Sequence, residues 1–212
     1  MSMSIDGVQR LKRVLDFSAV VAAILLFWPL FIGVAILVRL KIGSPLFFSQ
    51  PRLGLNGAEF RIIKFRSLTT ETDSAGNLLP DEKRLTPFGQ WLRSSSLDEL
   101  PELWNVLLGD MSLVGPRPLL TSYRAHYTPE QMARHRMRPG VTGWAQVNGR
   151  NQTTWEARFK MDNWYIDHWS LWLDIKILFL TIYKVVKRDD ISQEGHATMP
   201  LFTGTPSHAD SE

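Results

Sequence analysis

The chain has 212 residues, enough for one compact domain with a sizeable core. It has no cysteine, which excludes disulfide scaffolds, Cys-based zinc sites and thiol nucleophiles, and its 44% hydrophobic content against 21% charged argues against disorder except at the ends. The net charge of +3 says little, but its distribution says more: from Arg10 to Arg66 there are nine Lys or Arg and two acids, Asp16 and Glu59. A basic first third next to apolar sequence points to anionic lipid or phosphate partners, and no nucleic-acid partner is expected. Eight tryptophans suit a boundary between dry and wet surroundings.

In chain order, the first element is the uncharged run Phe17 to Val38, 22 residues long. At a rise of about 1.5 Å per residue it can just cross a bilayer core of about 30 Å. A cleaved signal peptide fits poorly, because the apolar stretch is too long and no small-residue cleavage site precedes Arg39. A single spanning helix and a re-entrant helix-break-helix remain. The break would fall at Trp28-Pro29, where proline removes a backbone hydrogen bond. Basic residues flank both ends, Arg10, Lys12 and Arg13 before and Arg39 and Lys41 after. A hairpin places both flanks on the cytoplasmic face; a straight span places only one there.

Residues 45–66 predict a β-hairpin, with Asn56-Gly57 as its turn. Asp73 to Asp81 is a polar loop. Leu97 to Leu108 has a helical pattern, and Ser122 to Arg138 a shorter one ended by Pro139-Gly140. Glu156 to Arg188 predicts a long helical stretch. In its later half Lys176, Lys184, Lys187 and Arg188 border a broad apolar surface. That is the pattern of an amphipathic helix lying in a membrane interface; a core helix with a solvated basic edge has the same pattern. The histidines show no metal-ligand spacing and read as surface or packing residues. The fold class is α+β, mainly helical. The expected layout is an N-terminal membrane segment over 1–42, a catalytic domain over 43–204 and a tail over 205–212.

The stretch SLDELPELWNVLLGDMSLVGPRP, starting at Ser96, invites a plain explanation: Ser96-x-x-Glu99 fits a capping box, with acids in a first helical turn. Its neighbours favour a reaction centre instead. Arg93 lies five residues before Asp98, Lys64 and Arg66 close the hairpin, Arg117 sits between Pro116 and Pro118, and Arg150 ends PGVTGWAQVNGR. These are phosphate-binding residue types on turns, not one flexible basic tract.

The ordered series KFRS, RSSSLDELPELWNVLLGDMSLVGPRP and RPGVTGWAQVNGRN resembles the bacterial sugar transferases, the small monotopic phosphoglycosyl transferases, over nearly the whole chain. The resemblance implies transfer of a sugar-1-phosphate from a UDP-sugar to undecaprenyl phosphate, giving undecaprenyl-diphospho-sugar and UMP. It also implies a re-entrant helix in one leaflet of the bacterial inner membrane and a catalytic domain on the cytoplasmic face. Trp28 stands where relatives carry serine before the proline. The resemblance assigns Asp98 as nucleophile and Mg²⁺ ligand, with Glu99 assisting the acceptor. Lys64, Arg66, Arg93 and Arg150 become phosphate ligands, and the uridine pocket falls at Pro116, Arg117 and Pro118. Mg²⁺ suits the task because it offsets repulsion between a carboxylate nucleophile and an anionic diphosphate. An aspartyl-phosphosugar would be the covalent intermediate. The run TMPLFTG resembles relatives acting on N-acetylated sugars. Two other functions compete: a lipid-binding scaffold, and a glycosyltransferase that would release UDP. Pairing with a second copy is left open.

Overall fold

The structure, a computed structural model, describes residues 5–149, 153–187 and 201–204. It is mainly helical, with eight α-helices among the described residues: α1 (Ile5–Lys41), α2 (Asp81–Arg84), α3 (Pro87–Ser94), α4 (Glu102–Leu108), α5 (Pro129–Met132), α6 (Trp144–Asn148), α7 (Trp155–Asp167) and α8 (Leu171–Lys187). Two small sheets join them. β1 (Phe47–Leu53) and β2 (Glu59–Phe65) form an antiparallel hairpin, and β3 (Ser112–Val114) pairs in parallel with β4 (Gly140–Thr142).

α1 is one helical element that carries Pro29 inside it. The helix runs through Trp28 and Pro29, where the re-entrant alternative places its break. Its burial is not uniform. Lys12, Asp16 and Val20 are buried near one end and Val34, Val38 and Ile42 near the other, while all six residues from Leu25 to Leu30 are exposed. A core helix buries one stripe along its length, whereas this one rests on the body at both ends and is bare between them.

The hairpin forms where predicted. Its loop turns on Asn56 (φ 53) and Gly57 (φ 74), the left-handed pair that Asn-Gly accepts most easily. Phe65 packs with Val34, Val38 and Leu92; Ile62 packs with Val20, Val106 and Met111. Both ends of α1 therefore rest on side chains of one strand.

α4 docks on the outer edge of β2 through Asn105, which is 1% exposed. Its Oδ1 accepts from the Ile63 amide at 3.0 Å and its Nδ2 donates to the Arg61 carbonyl at 2.8 Å. The amide thus satisfies strand groups that a third strand would otherwise have paired. The C-terminal carbonyls of α4 are taken by arginines from elsewhere. Arg13 of α1 donates to Val106 and Leu107, and Arg138 Nε donates to Gly109 at 2.8 Å. Lys12 pairs with Asp174 of α8, and Asp16 accepts from Ser112 Oγ at 2.7 Å. Asp174 also accepts from Tyr165 Oη at 2.6 Å.

Three sequence expectations change. The helix over Leu97 to Leu108 is a 3-10 turn, Leu97–Glu99, followed after Pro101 by α4. The capping box is absent: Ser96 is left-handed (φ 56) and its side chain makes no cap bond. The long stretch from Glu156 is two helices, because Ser170 caps a new start, accepting from the Leu173 amide at 3.2 Å. α8 buries Leu173, Asp174 and Ile177 but exposes Trp172, Phe179, Ile182 and Val186, so its apolar surface is not all core.

Candidate functional site

The 3-10 turn places Asp98 and Glu99 beside the end of β2 and the Pro116-Arg117-Pro118 segment. That segment is pinned by its backbone: the Gly115 amide donates to Thr142 at 2.9 Å and the Gly140 amide to Pro116 at 3.0 Å. Gly115 and Gly140 approach so closely that a Cβ on either would collide with the opposite backbone. Arg117 is thereby held facing Glu99, with Nη2 2.5 Å from Oε1.

Glu99 also takes Lys64 Nζ at 2.6 Å, and the same ammonium lies 3.0 Å from Oε1 of Glu102. Burial alone would raise the Glu99 pKa, but Arg117 and Lys64 outweigh it and hold the group at about 2. Glu102 is 1% exposed. Burial and the charge on Glu99 push it up to about 7. Asp98 is also buried, and burial together with Glu99 lifts it from 3.8 to about 6 against Lys64, Arg117 and Arg93. Neighbouring carboxylates are thus driven apart, Glu99 held low and Asp98 and Glu102 raised, a pattern that concentrates at reactive sites. Among the described residues no hydrogen bond or ion pair engages the Asp98 carboxylate itself.

A cavity of about 570 Å³ opens beside these groups. Arg93, Glu99, Arg117 and Arg158 supply its charged wall, and Leu103, Leu178 and Val185 part of its apolar wall. Arg93 is steadied by Ser67, to which its Nε donates at 2.8 Å. The sequence-predicted Lys64, Arg93, Asp98, Glu99 and Arg117 therefore converge, with Pro116 and Pro118 flanking the last. Arg66 does not join them. It is buried under the end of α1, donating to the Ile42 carbonyl at 3.3 Å. Trp28 and Pro29 lie in the bare middle of α1, and Arg150 lies outside the described residues. Sequence reasoning missed Glu102 and Arg158. Glu102 follows Glu99 by three residues, the spacing that brings side chains to one helical face. Arg158 carries no local signal.

No group of three or more His, Asp or Glu able to hold a metal occurs among the described residues. The donor set nevertheless fits Mg²⁺, which keeps few carboxylates and completes its shell with phosphate and water. Asp98, buried next to the cavity-lining Glu99, offers one unengaged carboxylate.

Three buried or half-buried carboxylates, Asp98, Glu99 and Glu102, thus gather with Lys64, Arg93 and Arg117 beside one cavity. The chain belongs to the bacterial sugar transferase family, whose sequence profile matches residues 8–188, and is a transferase. It is 52% identical over 195 residues to an uncharacterised sugar transferase, EpsL, of Bacillus subtilis strain 168, covering 92% of this chain and 96% of that one. It is 44% identical to the UDP-glucose:undecaprenyl-phosphate glucose-1-phosphate transferase of Xanthomonas campestris, over 82% of this chain and 38% of that protein. To the protein of the same name in Escherichia coli K12 it is 41% identical, over 85% of this chain and 41% of the other. The chain spans well under half the length of these two.

Proposed function

We propose that the protein transfers a sugar-1-phosphate from a UDP-sugar to undecaprenyl phosphate, releasing UMP, through a phosphosugar bound to Asp98. The observation that carries this reading is the pairing of Asp98, a buried and unengaged carboxylate, with its neighbour Glu99, which lines the cavity and whose charge is already claimed by Lys64 and Arg117. An Asp98 oxygen attacks the sugar-side phosphorus, and the bond to the bridging oxygen breaks. Arg93 and Arg117 face the cavity as ligands for the phosphate charge. Asp98 would hold Mg²⁺, which would supply neutralisation of the charge on the donor.

In the second step a phosphate oxygen of the acceptor displaces Asp98. That oxygen is already anionic near neutral pH, so no base is needed. Glu99, held at about 2, is a poor proton acceptor in any case. Its role in this reading is to fix Lys64 and Arg117, while Glu102, pushed up to about 7 by burial and Glu99, offsets less of the Lys64 charge than an ordinary carboxylate would.

The acceptor's tail needs a membrane. Both ends of α1 rest on β2 while its middle stands clear, centred near Pro29, which supports a bent, re-entrant insertion into the inner membrane from the cytoplasmic face. Exposed Trp172, Phe179, Ile182 and Val186 support α8 as an interfacial helix. For the sugar, the TMPLFTG run argues for an N-acetylated hexose and the relatives' names argue for glucose. The deciding experiment incubates the enzyme with Mg²⁺, undecaprenyl phosphate and each of UDP-glucose, UDP-galactose and their N-acetylated forms, reading UMP. Release of UDP, or of neither nucleotide with any donor, would overturn the reading.

A further inference from the structure

Arg158 sits one turn before Asp162 on α7, the spacing at which an arginine and an acid normally pair. Here the acid is taken. Asp162 Oδ2 accepts from Arg134 at 3.1 Å (Nε) and 2.7 Å (Nη2), with both side chains almost fully buried. Arg134 also donates to the Arg117 carbonyl at 2.7 Å, which ties α7 to the Pro116-Arg117-Pro118 segment. The Arg158 guanidinium is stacked 5.4 Å from the centre of Trp155 and lines the cavity. Among the described residues no hydrogen bond or ion pair gives it an acid. Burial, and then Arg117, both disfavour its charge. A guanidinium braced on a ring, at the wall of a cavity that it shares with Arg93 and Arg117, is a site that lacks its anion.

Its place along the cavity follows from its neighbours. Glu99, Arg117 and Arg158 all line the cavity. Glu99, next to Asp98 in the chain, pairs with Arg117, and the Arg134–Asp162 pair ties the Arg117 carbonyl to the helix that carries Arg158, so the order runs from the Asp98-Glu99 turn through Arg117 to Arg158. Phosphoryl transfer sets the attacking and leaving oxygens roughly in line. With Asp98 as the attacking end, Arg158 lies toward the leaving end.

We propose that Arg158 holds the nucleotide-side phosphate of the donor and neutralises the charge that collects there as UMP leaves. An Asp98 oxygen bonds to the sugar-side phosphorus, the bond from that phosphorus to the bridging oxygen breaks, and its electron pair stays on that oxygen. UMP gains one negative charge and no proton moves. This assignment rests on the UDP-sugar reading above.

The test is equilibrium binding of uridine and of UMP to the full chain in nanodiscs, for the wild type, Arg158→Gln and Arg158→Lys. A charge-assisted contact predicts that the wild type prefers UMP to uridine by about ten- to a hundredfold. Arg158→Gln should lose at least about tenfold in UMP affinity while uridine binding stays within about twofold, which also reports an intact pocket. Arg158→Lys should recover part of the loss. In single turnover Arg158→Gln should slow UMP release, while discharge of a preformed adduct onto undecaprenyl phosphate proceeds at the wild-type rate. If Arg158→Gln binds UMP as the wild type does, or loses uridine and UMP equally, the assignment is overturned while the UDP-sugar reading stands. A wild type that binds UMP no better than uridine and uses no UDP-sugar overturns both.

Discussion

Replacing Glu99 with Gln removes one charge next to Asp98 and little else in shape. Asp98 stands at about 6 because burial and Glu99 together outweigh three cations. A nucleophile with a raised pKa is ionised above that value and lost below it. At pH 5 about a tenth of Asp98 carries charge, and the first half-reaction should run at about a tenth of its pH 7.5 rate. Glu99→Gln leaves burial in place, deletes the repulsion and frees Lys64 and Arg117 to favour the anion, so the midpoint must move down. A shift of one unit, about 1.4 kcal/mol, is modest for adjacent carboxylates. It would lift the pH 5 to pH 7.5 ratio from about 0.1 to about 0.5, even though the absolute rate falls as Lys64 and Arg117 lose their anchor. The assay is single-turnover UMP release without lipid acceptor from pH 4.5 to 8. A wild-type midpoint below about 4.5, or a Glu99→Gln midpoint that stays put or rises, would refute the account of Asp98.

Asp98→Asn should abolish turnover with the fold intact, and activity retained within about tenfold would remove Asp98 as nucleophile. Glu102, raised to about 7, becomes a second anion on Lys64 as pH climbs, so Glu102→Gln should flatten any decline on the alkaline side; an unchanged alkaline limb assigns that titration elsewhere. Asp174→Asn leaves Lys12 buried with its main partner gone, costing about 3 kcal/mol, or roughly 6–12 °C in Tm; a shift under about 2 °C would show the pair to be unimportant. Cysteines introduced at Ser4 and Ser207 should label from the same side of the membrane, and Pro29→Leu should shift the segment toward spanning; labelling from opposite sides in the unaltered helix would mean a true span.

What the sequence disclosed was local. Asn56-Gly57 announced its turn because positive φ at both positions is a property of those residues alone. Ser96 to Glu99 misled for the same reason: the capping pattern is a local preference. Lys64 and Arg117, 35 and 18 residues away from Glu99, outbid it with two ion pairs. The long helix from Glu156 had no glycine or proline to mark its interruption, and only Ser170 signals the restart. Arg93, Asp98 and Arg117 were legible through their motifs. Glu102 and Arg158 were not, since one owes its state to burial and the other to an acid claimed by Arg134.

The arginine from α1 that closes the end of α4 makes the long apolar helix part of the structure that holds the candidate site. Arg13 supplies the partners for the Val106 and Leu107 carbonyls, Lys12 answers Asp174, and Val20 fills the space between Ile62 and Val106. Cutting the chain after residue 42 to obtain a water-soluble form would remove far more than an attachment to lipid. It would strip the cap from the helix that follows Asp98 and Glu99, leave a buried aspartate uncompensated and open a hole beside the strand that carries Lys64. The long helix and the body that holds the candidate site are one folding unit, so solubility has to be engineered on exposed residues, such as those between Leu25 and Leu30 and Trp172, Phe179, Ile182 and Val186 on α8, with the buried contacts of the helix kept.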